Sequence, residues 1–495
     1  MASDPFAAAI ALHRAGRLGE AMELYKQVLR ANPGHAGALH MLGVLVHKLG
    51  DAGAAVKFIL EALRLDPAPA FLYADLALAL LDCGRPADAA RAFRAALLLD
   101  PGQARAAFSL AVLIEDSGQR AEAIPFYRWA AQLERDPSHS LNNLGTALTK
   151  EQRAEEALVP LRAALAASPG MVEGWYNLAQ ALRCALQLDE ALALYRRALA
   201  VVPDHPLVNA DYATSLLLAG RFGEGWARHE WRWRTPTFDP YRRGFVQPLW
   251  NGEPLAGRRL LLHGEQGLGD VIQFCRYAPL ATGGEVVLEV HPPLVRLLRN
   301  LPGITRVIAR GEPLPMIDLQ CPLMSLPRLY PDIPPAPYLP SPSAKPRGDK
   351  PRVGLVWAGS ANHPDDRHRS LPKAALAPLR DAVDVDWFSL QLGLTPPEGV
   401  TDLTAGIGDF ADTAERLAEL DLLITVDTSI AHLAGAIGRP VWTLLAYTPD
   451  WRWQLHRSDT PWYPGMRLFR QKQPGDWAGV INEVAEALKS YCADY

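Results

Sequence analysis

The sequence contains little cysteine and no long hydrophobic run. Its five cysteines are scattered and never form a CxxC pair, so neither a disulfide framework nor a zinc site is expected. No apolar stretch reaches the roughly 18 residues that a membrane span requires. The Met-Ala-Ser-Asp start also lacks the basic and apolar stretches of a secretory signal. A cytoplasmic protein without a membrane span is therefore expected.

The net charge is small as well. Fifty Lys and Arg residues stand against 54 Asp and Glu residues, which leaves a formal charge of −4. A protein that binds nucleic acid in bulk normally carries a strong basic excess, so no nucleic-acid partner is expected. Hydrophobic residues make up 49% of the chain and charged residues 21%, as in soluble globular proteins. The length of 495 residues suggests about three domains.

The first two hundred residues carry marks that recur about every 34 residues. Prolines with spacings of 34, 34, 36, 32 and 34 stand at Pro33, Pro67, Pro101, Pro137, Pro169 and Pro203. Eight residues before most of them lies an aromatic or large aliphatic residue, four residues after a small alanine, as in Ala21 and Tyr25. A second set of marks keeps the same interval at Gly16, Gly50, Gly84, Gly118 and Gly220.

This pattern predicts a series of helix pairs. A small residue followed one turn later by a large one lets two helices approach closely and interlock. The glycines permit the break between the helices of a pair, and the prolines end each second helix. The period and the spacing resemble the tetratricopeptide repeat. The resemblance implies an α-solenoid with a groove over residues 1–234; the alternative is an ordinary helical bundle, which has no fixed period.

A segment rich in tryptophan and arginine follows the repeats. Between Arg221 and Arg259 there are eight arginines and four acidic residues, interleaved with Trp226, Trp231, Trp233 and Trp250. Arginine stacked on tryptophan can bind an anionic partner. The same amphipathic side chains also suit a packed joint between the repeats and the next domain. The packed joint, assigned to residues 235–254, is the favoured interpretation.

Beyond Pro236 the helical pattern is replaced by short apolar runs separated by amphipathic segments. The runs are Leu260–Leu262, Val286–Val290, Val353–Trp357, Trp387–Leu390, Leu422–Val426 and Val441–Leu445. Such an alternation predicts parallel sheets covered on both faces by helices. Seven prolines between Pro334 and Pro351 indicate a stiff linker. The segment Trp477–Leu488 has the apolar spacing of one further helix.

The sequence thus predicts two α/β lobes over residues 255–333 and 352–495, joined by a linker at 334–351. Two open lobes of this kind form a cleft between the carboxyl ends of their strands, where such sheets bind ligands. The fold class expected for the whole chain is α followed by α/β.

The first lobe opens with a buried strand that runs into a glycine-rich turn. Gly264, Gly267 and Gly269 permit close approach of the backbone to a ligand, and Asp270 stands at the start of the next helix. An aspartate at a helix start is more often a plain N-terminal cap than a catalytic group, so both roles stay open for Asp270. His263 and Glu265 are the alternative bases should Asp270 be only a cap.

A second constellation lies late in the other lobe. The strand Leu422–Val426 delivers Asp427, Thr428 and Ser429 to the head of a helix. Free N–H groups and hydroxyls at such an end suit a nucleotide phosphate. His432 follows within that helix and is either part of the site or a core histidine.

A third patch follows the first strand of the second lobe. Gly359 and Ser360 form a loop of small residues, and Arg367 and Arg369 can neutralise the phosphate of a leaving nucleotide. Exposed, solvated arginines are the alternative interpretation. Gln391, at the end of another strand, is a candidate nucleotide contact.

Together these segments resemble the two-lobed glycosyltransferase fold known as GT-B, and most closely the heptosyltransferase-like family nine. In that family a Gly-Asp pair begins the first helix, and an Asp-Thr-[Gly/Ser]-x-x-His-Leu run begins a helix of the donor lobe. Gly269-Asp270 and Asp427–Leu433 match these two patterns. The resemblance extends from near Leu255 to the C-terminus and implies two Rossmann-like lobes, the first for the acceptor and the second for a nucleotide sugar.

The resemblance also implies roles for individual residues. Asp270 becomes the candidate general base, which takes the proton from an acceptor hydroxyl. Asp427, Thr428, Ser429 and His432 become the donor site, together with the patch around Gly359 and Gln391. Neither a metal ion nor another cofactor is expected, because Asp365-Asp366 lacks the DxD spacing of metal-dependent transferases.

With repeats ahead of these lobes, the chain resembles bacterial tetratricopeptide-repeat transferases that modify proteins, including those associated with flagellin glycosylation. The leading hypothesis is therefore a cytoplasmic, metal-independent, inverting glycosyltransferase. It would move a sugar from a nucleotide sugar to Ser or Thr hydroxyls of a protein held by the repeats, with flagellin as one candidate. The alternatives are a lipopolysaccharide or other glycan as acceptor, and a scaffold whose transferase region has lost its activity.

Overall fold

The computed structural model describes residues 4–346, 348–361, 366–493 and 495. The chain divides into two compact units, Met1–Leu194 and Tyr195–Tyr495. Within the described residues, no helix is long and apolar enough to cross a membrane.

Paired antiparallel helices make up the chain up to His229. They are α1 (Pro5–Arg14), α2 (Leu18–Ala31), α3 (Ala36–Lys48), α4 (Ala52–Leu65), α5 (Ala70–Asp82), α6 (Pro86–Leu99), α7 (Ala104–Asp116), α8 (Arg120–Leu133), α9 (Ser138–Lys150), α10 (Ala154–Ala167), α11 (Val172–Cys184), α12 (Leu188–Val201), α13 (Pro206–Leu218) and α14 (Phe222–His229). The repeating alanine and the large residue one turn later are buried, as in Ala21 with Tyr25 and Ala89 with Phe93. The pattern therefore marks the face along which the helices pack.

The break between the two helices of each pair has a left-handed residue. The predicted glycines Gly16, Gly50, Gly84, Gly118 and Gly220 all have φ between 70° and 94°. The same 34-residue interval also reaches Gln152 and Leu186, whose φ values are 60° and 61°. Two non-glycine residues thus adopt the glycine conformation, which costs about 1–2 kcal/mol per residue with a side chain. The turn geometry is repeated even where the glycine is not.

Polar pairs 35 residues apart connect successive repeats in the first unit. His40 contacts Asp75 and His47 contacts Asp82, each at 2.7 Å. Further along, the Asn177 side-chain amide donates to the Asn142 side-chain oxygen at 3.0 Å. Each pair joins the first helix of one repeat to the first helix of the next, so these contacts hold consecutive repeats in register.

A parallel sheet of four strands forms the first α/β lobe of the second unit. Its strands are β1 (Arg259–His263), β2 (Glu285–Val290), β3 (Arg306–Ala309) and β4 (Leu319–Pro322), in the order β3-β2-β1-β4. The helices of this lobe are α15 (Leu268–Phe274) and α16 (Val295–Leu298). Strands β1 and β2 are central and almost entirely buried, as their continuous apolar sequence requires.

A parallel sheet of six strands forms the second lobe. Its strands are β5 (Arg352–Val356), β6 (Asp386–Ser389), β7 (Thr401–Asp402), β8 (Leu422–Val426), β9 (Val441–Leu445) and β10 (Met466–Arg470), in the order β10-β9-β8-β5-β6-β7. Its helices are α17 (Asp366–Arg369), α18 (Ala377–Ala382), α19 (Phe410–Ala418), α20 (Ser429–Ala436) and α21 (Trp477–Ala493). One core cluster joins the central strands to α21 through Val480, Ile481 and Val484.

The expected order, helical repeats followed by parallel α/β sheets, is confirmed. Both sheets are parallel in every pairing, as the apolar runs predict. The described part of the segment 334–351 has neither helix nor strand. The individual domain boundaries stay predictions.

The tryptophan- and arginine-rich segment packs inside the second unit. Trp226 is buried, with its ring centroid 5.7 Å from Phe274 and 5.3 Å from Trp451. Arg232 is also buried and donates to Glu265 in the first lobe. Both side chains therefore have partners within the second unit, and neither requires an anionic ligand.

Candidate active site

Asp270 occupies the first turn of α15, directly after the turn that follows β1. Its Oδ2 accepts a hydrogen bond from the Gly267 backbone N–H at 2.7 Å, which caps the helix. Its Oδ1 is ion paired with the guanidinium of Arg452, which belongs to the other lobe. The side chain is 20% exposed. Asp270 is therefore a cap, as the alternative interpretation holds, and it also reaches the interface between the lobes.

The second predicted motif follows β8. Thr428 is the N-terminal cap residue of α20, and Ser429 is the first residue of that helix. His432 lies one turn further and is buried: its Nδ1 is 3.0 Å from the Tyr463 hydroxyl, and its ring stacks on Trp453 at 5.3 Å. Burial, with Arg452 and Arg276 nearby, holds the pKa of His432 well below its usual value. His432 is thus a neutral histidine that packs against Tyr463 and Trp453.

The two motifs meet where α15 and α20 lie side by side. A Cβ atom placed on Gly269 would stand 3.0 Å from His432 Cδ2 and 3.4 Å from Ser429 Cα. A side chain at position 269 would therefore push the two helices apart. Gly269 brings the helix start that carries Asp270 against the helix start that carries Ser429, although the two segments are far apart in the sequence.

Arg452 is the residue at the centre of this junction, and the sequence patterns did not single it out as a site residue. It is buried, and its guanidinium donates to Gln273 Oε1 at 2.6 Å and to Asp450 Oδ1 at 2.9 Å, besides pairing with Asp270. Asp270 and Gln273 lie in the first lobe, whereas Arg452 and Asp450 lie in the second. One guanidinium therefore ties the candidate base to the donor-side lobe.

Asp427 lies in a setting that favours its neutral form. Burial and the neighbouring Asp450 raise the pKa of Asp427 to about 6. Arg369, Arg452 and the indole of Trp453 oppose that shift. The Trp453 indole is buried, and its N–H is the hydrogen-bond donor that opposes the shift. A donor and positive charge thus both lie next to Asp427.

The structure separates the two candidate arginines. Arg369 packs over Gly359, where an added Cβ atom would stand 2.8 Å from Arg369 Nη2, and its charge reaches Asp427. Arg367 is exposed, and its Nε contacts His368 at 2.8 Å. Ser360 is exposed at the end of the same loop. Of the two arginines, Arg369 therefore has the position that can serve the donor.

Gln391 supports the loop that contains Gly359 and Ser360. Its Oε1 accepts hydrogen bonds from the backbone N–H groups of Trp357 and Ala358, at 3.1 and 2.9 Å. The side chain is buried. Gln391 thus fixes the backbone at the end of β5, a role that the position of the residue at a strand end did not reveal.

The two alternative bases are buried in the first lobe. His263 contacts Gln320 Oε1 at 3.0 Å through Nε2, and burial lowers its pKa to about 4. Glu265 accepts two hydrogen bonds from Arg232 on Oε1, at 3.0 and 2.8 Å. Burial raises the pKa of Glu265 to about 7, although Arg232 acts in the opposite direction. Their burial leaves Asp270 as the more accessible carboxylate for an acceptor hydroxyl.

The described residues contain no cluster of three or more His, Cys, Asp or Glu side chains that could hold a metal ion. Asp366 accepts a hydrogen bond from the Ser370 hydroxyl at 2.8 Å, whereas Asp365 lies outside the described residues. The expectation of a metal-independent reaction stays a prediction.

Models of two protein families match segments of the chain. Models of the tetratricopeptide repeat match residues 12–79, 74–140 and 172–205. The model of glycosyltransferase family 9 (heptosyltransferase) matches residues 401–474, which include β8, α20 and Arg452. The chain therefore carries tetratricopeptide repeats ahead of a segment, 401–474, that is similar to glycosyltransferase family 9.

Among characterised proteins, the chain is similar to Protein FlbA of Caulobacter vibrioides. The two are 29% identical over 331 residues, which is 57% of this chain and 54% of the relative. The chain thus matches about half the length of that protein.

Some solved structures are similar to about a third of the chain. YrrB, described as a tetratricopeptide-repeat protein with an unusual peptide-binding site, is 21% identical; the match covers 37% of this chain and 95% of YrrB, with a TM-score of 0.36. MamA is 22% identical; the match covers 32% of this chain and 94% of MamA, with a TM-score of 0.31. Neither similarity bears on the activity of this chain.

Proposed function

We propose that this protein is an inverting glycosyltransferase that moves a sugar from a nucleotide sugar to a Ser or Thr hydroxyl of a protein acceptor. The main support for the proposal is that two separately predicted motifs lie next to each other in the structure. Asp270 at the start of α15 and Ser429 at the start of α20 lie on adjoining helices, which Gly269 allows to touch. The match of residues 401–474 to glycosyltransferase family 9 supports the same conclusion.

In the proposed step, the acceptor hydroxyl attacks the anomeric carbon of the donor sugar. The carbon–oxygen bond to the leaving phosphate breaks as the new glycosidic bond forms. The hydroxyl proton passes to the Asp270 carboxylate, and the nucleotide departs with the electron pair as a phosphate anion. Attack from the face opposite the leaving group inverts the configuration at that carbon.

The donor phosphate is proposed to lie at the start of α20. Free N–H groups at the start of a helix favour an anion. Arg369 and the indole N–H of Trp453 lie beside Asp427, so charge and a donor are available there without a metal ion. The proposed reaction is therefore metal independent.

The acceptor is proposed to be a protein, because a helical repeat array precedes the transferase lobes. Repeats of this kind bury their apolar faces against one another and leave an extended surface for a partner. We propose that the reaction takes place in the cytoplasm, and that flagellin is the first acceptor to test.

The experiment offers the full chain one nucleotide sugar of each class: UDP-N-acetylglucosamine, GDP-mannose, ADP-heptose, dTDP-rhamnose and CMP-N-acetylneuraminate. A bound donor at 100 times its Kd should stabilise the folded protein by about 2.7 kcal/mol, which a thermal shift detects. Release of the nucleotide from the bound donor then measures turnover. Intact-mass spectrometry of co-expressed flagellin should show an added sugar mass. Binding of none of the five donors would instead favour a scaffold without activity.

A glycan acceptor is the second candidate, because the matching family is described as heptosyltransferase. Deleting the gene in its own host separates the two possibilities. A changed lipopolysaccharide profile with unchanged protein glycosylation would favour the glycan acceptor. An unchanged glycan profile with loss of a protein-linked sugar would favour the protein acceptor.

Donor binding is expected to weaken as the pH rises through the pKa of Asp427. That pKa is raised to about 6, so the carboxyl is neutral at pH 5 and charged at pH 7.5, where it repels a phosphate. The diester phosphates of a nucleotide sugar keep their charge over this range. Calorimetry should therefore give a Kd that is about three- to tenfold lower at pH 5 than at pH 7.5.

In the Asp427→Asn variant this pH dependence should disappear. Asp384→Asn is the control, since Asp384 is an exposed carboxylate paired with Lys350. The control should keep the pH dependence of the wild type. A full pH dependence in Asp427→Asn would assign the effect to another group.

A further inference from the structure

We propose that Arg452 is a positioning residue that holds the Asp270 carboxylate in its reactive orientation against the donor-side lobe. The inference rests on the proposed function and adds to it a residue that no sequence pattern assigned. Arg452 follows the last central strand of the second lobe, yet its guanidinium contacts two side chains of the first lobe, Asp270 and Gln273.

The contact with α15 involves two points. Asp270 and Gln273 are three residues apart, so their side chains leave the same face of the helix. Arg452 Nη2 pairs with Asp270 Oδ1, while Nε donates to Gln273 Oε1 at 2.6 Å. Two donors of one planar group thereby fix both the position and the rotation of the helix start.

Arg452 itself is held on several sides. Its Nη1 donates to Asp450 at 2.9 Å, and its guanidinium carbon lies 4.4 Å from the centre of the Trp451 ring. Its backbone carbonyl accepts a hydrogen bond from the Trp462 indole at 2.9 Å. Burial alone would lower the pKa of Arg452, but Asp450 and Asp270 raise it above its usual value, so the group stays charged.

These contacts leave Asp270 oriented but not saturated. Gly267 N–H binds Oδ2, and Arg452 binds Oδ1. An ionised carboxylate offers about four acceptor positions. An acceptor hydroxyl can therefore still approach, and the direction from which it does so is set by Arg452. Lysine keeps the charge at this position but cannot reach Asp270, Gln273 and Asp450 at the same time.

The test compares Arg452→Lys with Arg276→Lys in the full chain. Arg276 is the matched control: it is buried and donates to the backbone carbonyl of Trp462 at 3.0 Å, so it too connects first-lobe and second-lobe residues. Among the described residues, however, it forms no ion pair with a carboxylate. The readouts are kcat and KM for nucleotide release from the five-donor panel in the presence of flagellin as acceptor, with folding checked by circular dichroism.

Arg452→Lys is expected to lower kcat by about 10- to 100-fold with less than a threefold change in the KM of the donor, because a displacement of about 1 Å can cost 10² in rate. Arg276→Lys should keep kcat within about threefold. The double variant Asp270→Asn/Arg452→Lys should be no slower than Asp270→Asn alone, since Arg452 acts through Asp270.

Gln273→Met provides a second variant should the lysine variant fold poorly. Gln273 Nε2 is buried and makes no hydrogen bond in the described structure, so methionine removes an unsatisfied group together with one anchor of Arg452. We expect a stable protein with kcat lowered about three- to tenfold. Unchanged kcat in both variants, or multiplying losses in the double variant, would overturn the role of Arg452. Absence of turnover by the wild type with all five donors would overturn the proposed function instead.

Discussion

Replacing Asp270 with asparagine is expected to slow sugar transfer by about 10²- to 10⁴-fold, the usual contribution of a general base. Asparagine keeps the size of the side chain and an oxygen that can cap the Gly267 N–H, so helix α15 should form as before. It lacks the charge that accepts the proton of the acceptor hydroxyl. The rate of appearance of the glycosylated acceptor, measured by intact-mass spectrometry, gives the result.

The chain provides a close control for the structural part of this effect. Asp412 occupies the same position in α19: its Oδ2 accepts from the Gly408 and Asp409 backbone N–H groups at 2.8 and 3.2 Å. Like Asp270, it is ion paired with an arginine of the other lobe, in this case Arg296. Asp412→Asn therefore keeps an oxygen that can cap the helix and removes an ion pair between the lobes without touching the proposed base.

We expect Asp412→Asn to transfer sugar within about threefold of the wild-type rate. Asp412 is not the proposed general base, and loss of that base accounts for the larger effect of Asp270→Asn. Equal losses in the two variants would show that Asp270 has only a structural role. Equal activity in all three proteins would remove both residues from the reaction. The pair of variants thus decides between the two roles that the sequence left open for Asp270.

The periodic parts of the fold were predictable because their signals are local and repeated. Alanine, a large residue, proline and glycine recur at one interval, and each has a direct conformational meaning. The turns at Gln152 and Leu186 were not predicted, because φ is positive there without a glycine. There the packing of neighbouring helices imposes the turn, so the residue type carries no signal.

Among the strands, buried central strands were easier to predict than edge strands. All six apolar runs coincide with observed strands to within one residue at every end. The strands β3, β4, β7 and β10 were not predicted. Strand β7 has two exposed residues, and β10 alternates apolar residues with arginines at 467 and 470. Strands at or near an edge lack the continuous apolar sequence that burial on both faces requires.

The candidate site was predictable only where it follows a strand. Asp270 and Asp427 were found because each stands between an apolar strand and a helix. Arg452 was not found, since its partners lie in the other lobe and are distant in the sequence. The signal that was available is the charge pattern of Asp450 and Arg452 within an aromatic segment, a composition that favours packing at a lobe interface over a binding site.

The tryptophan- and arginine-rich segment shows how contacts decide between two interpretations of one composition. Arg232 is buried and donates to Glu265, to Glu230 at 2.7 Å and to the Ser325 hydroxyl at 2.9 Å. Its guanidinium also lies 4.8 Å from the Trp233 ring. Its hydrogen-bonding groups are thus directed to partners within the second unit, which favours a packed joint over a site for an anion.

Arg232→Met is therefore expected to destabilise the second unit by about 3–5 kcal/mol at pH 7.5, the usual cost of removing one partner from a buried ion pair. The loss leaves the buried Glu265 without its counter-charge, so that carboxyl must take up a proton. Arg232 opposes the rise in the pKa of Glu265, so its removal raises that pKa further above about 7. Hydrogen exchange of residues 259–290 in increasing urea measures the change.

The pH dependence identifies the cause. A carboxyl whose folded pKa lies above its unfolded pKa destabilises the protein above the folded pKa, and that penalty vanishes as the pH falls toward the unfolded value. The loss in Arg232→Met should therefore shrink as the pH falls below about 7. Glu265→Gln/Arg232→Met should recover most of the loss at pH 7.5, whereas Lys489→Met, which removes an exposed pair with Glu486, should cost less than about 0.5 kcal/mol. A loss independent of pH would assign the effect to packing around Trp233 rather than to the unpaired carboxyl.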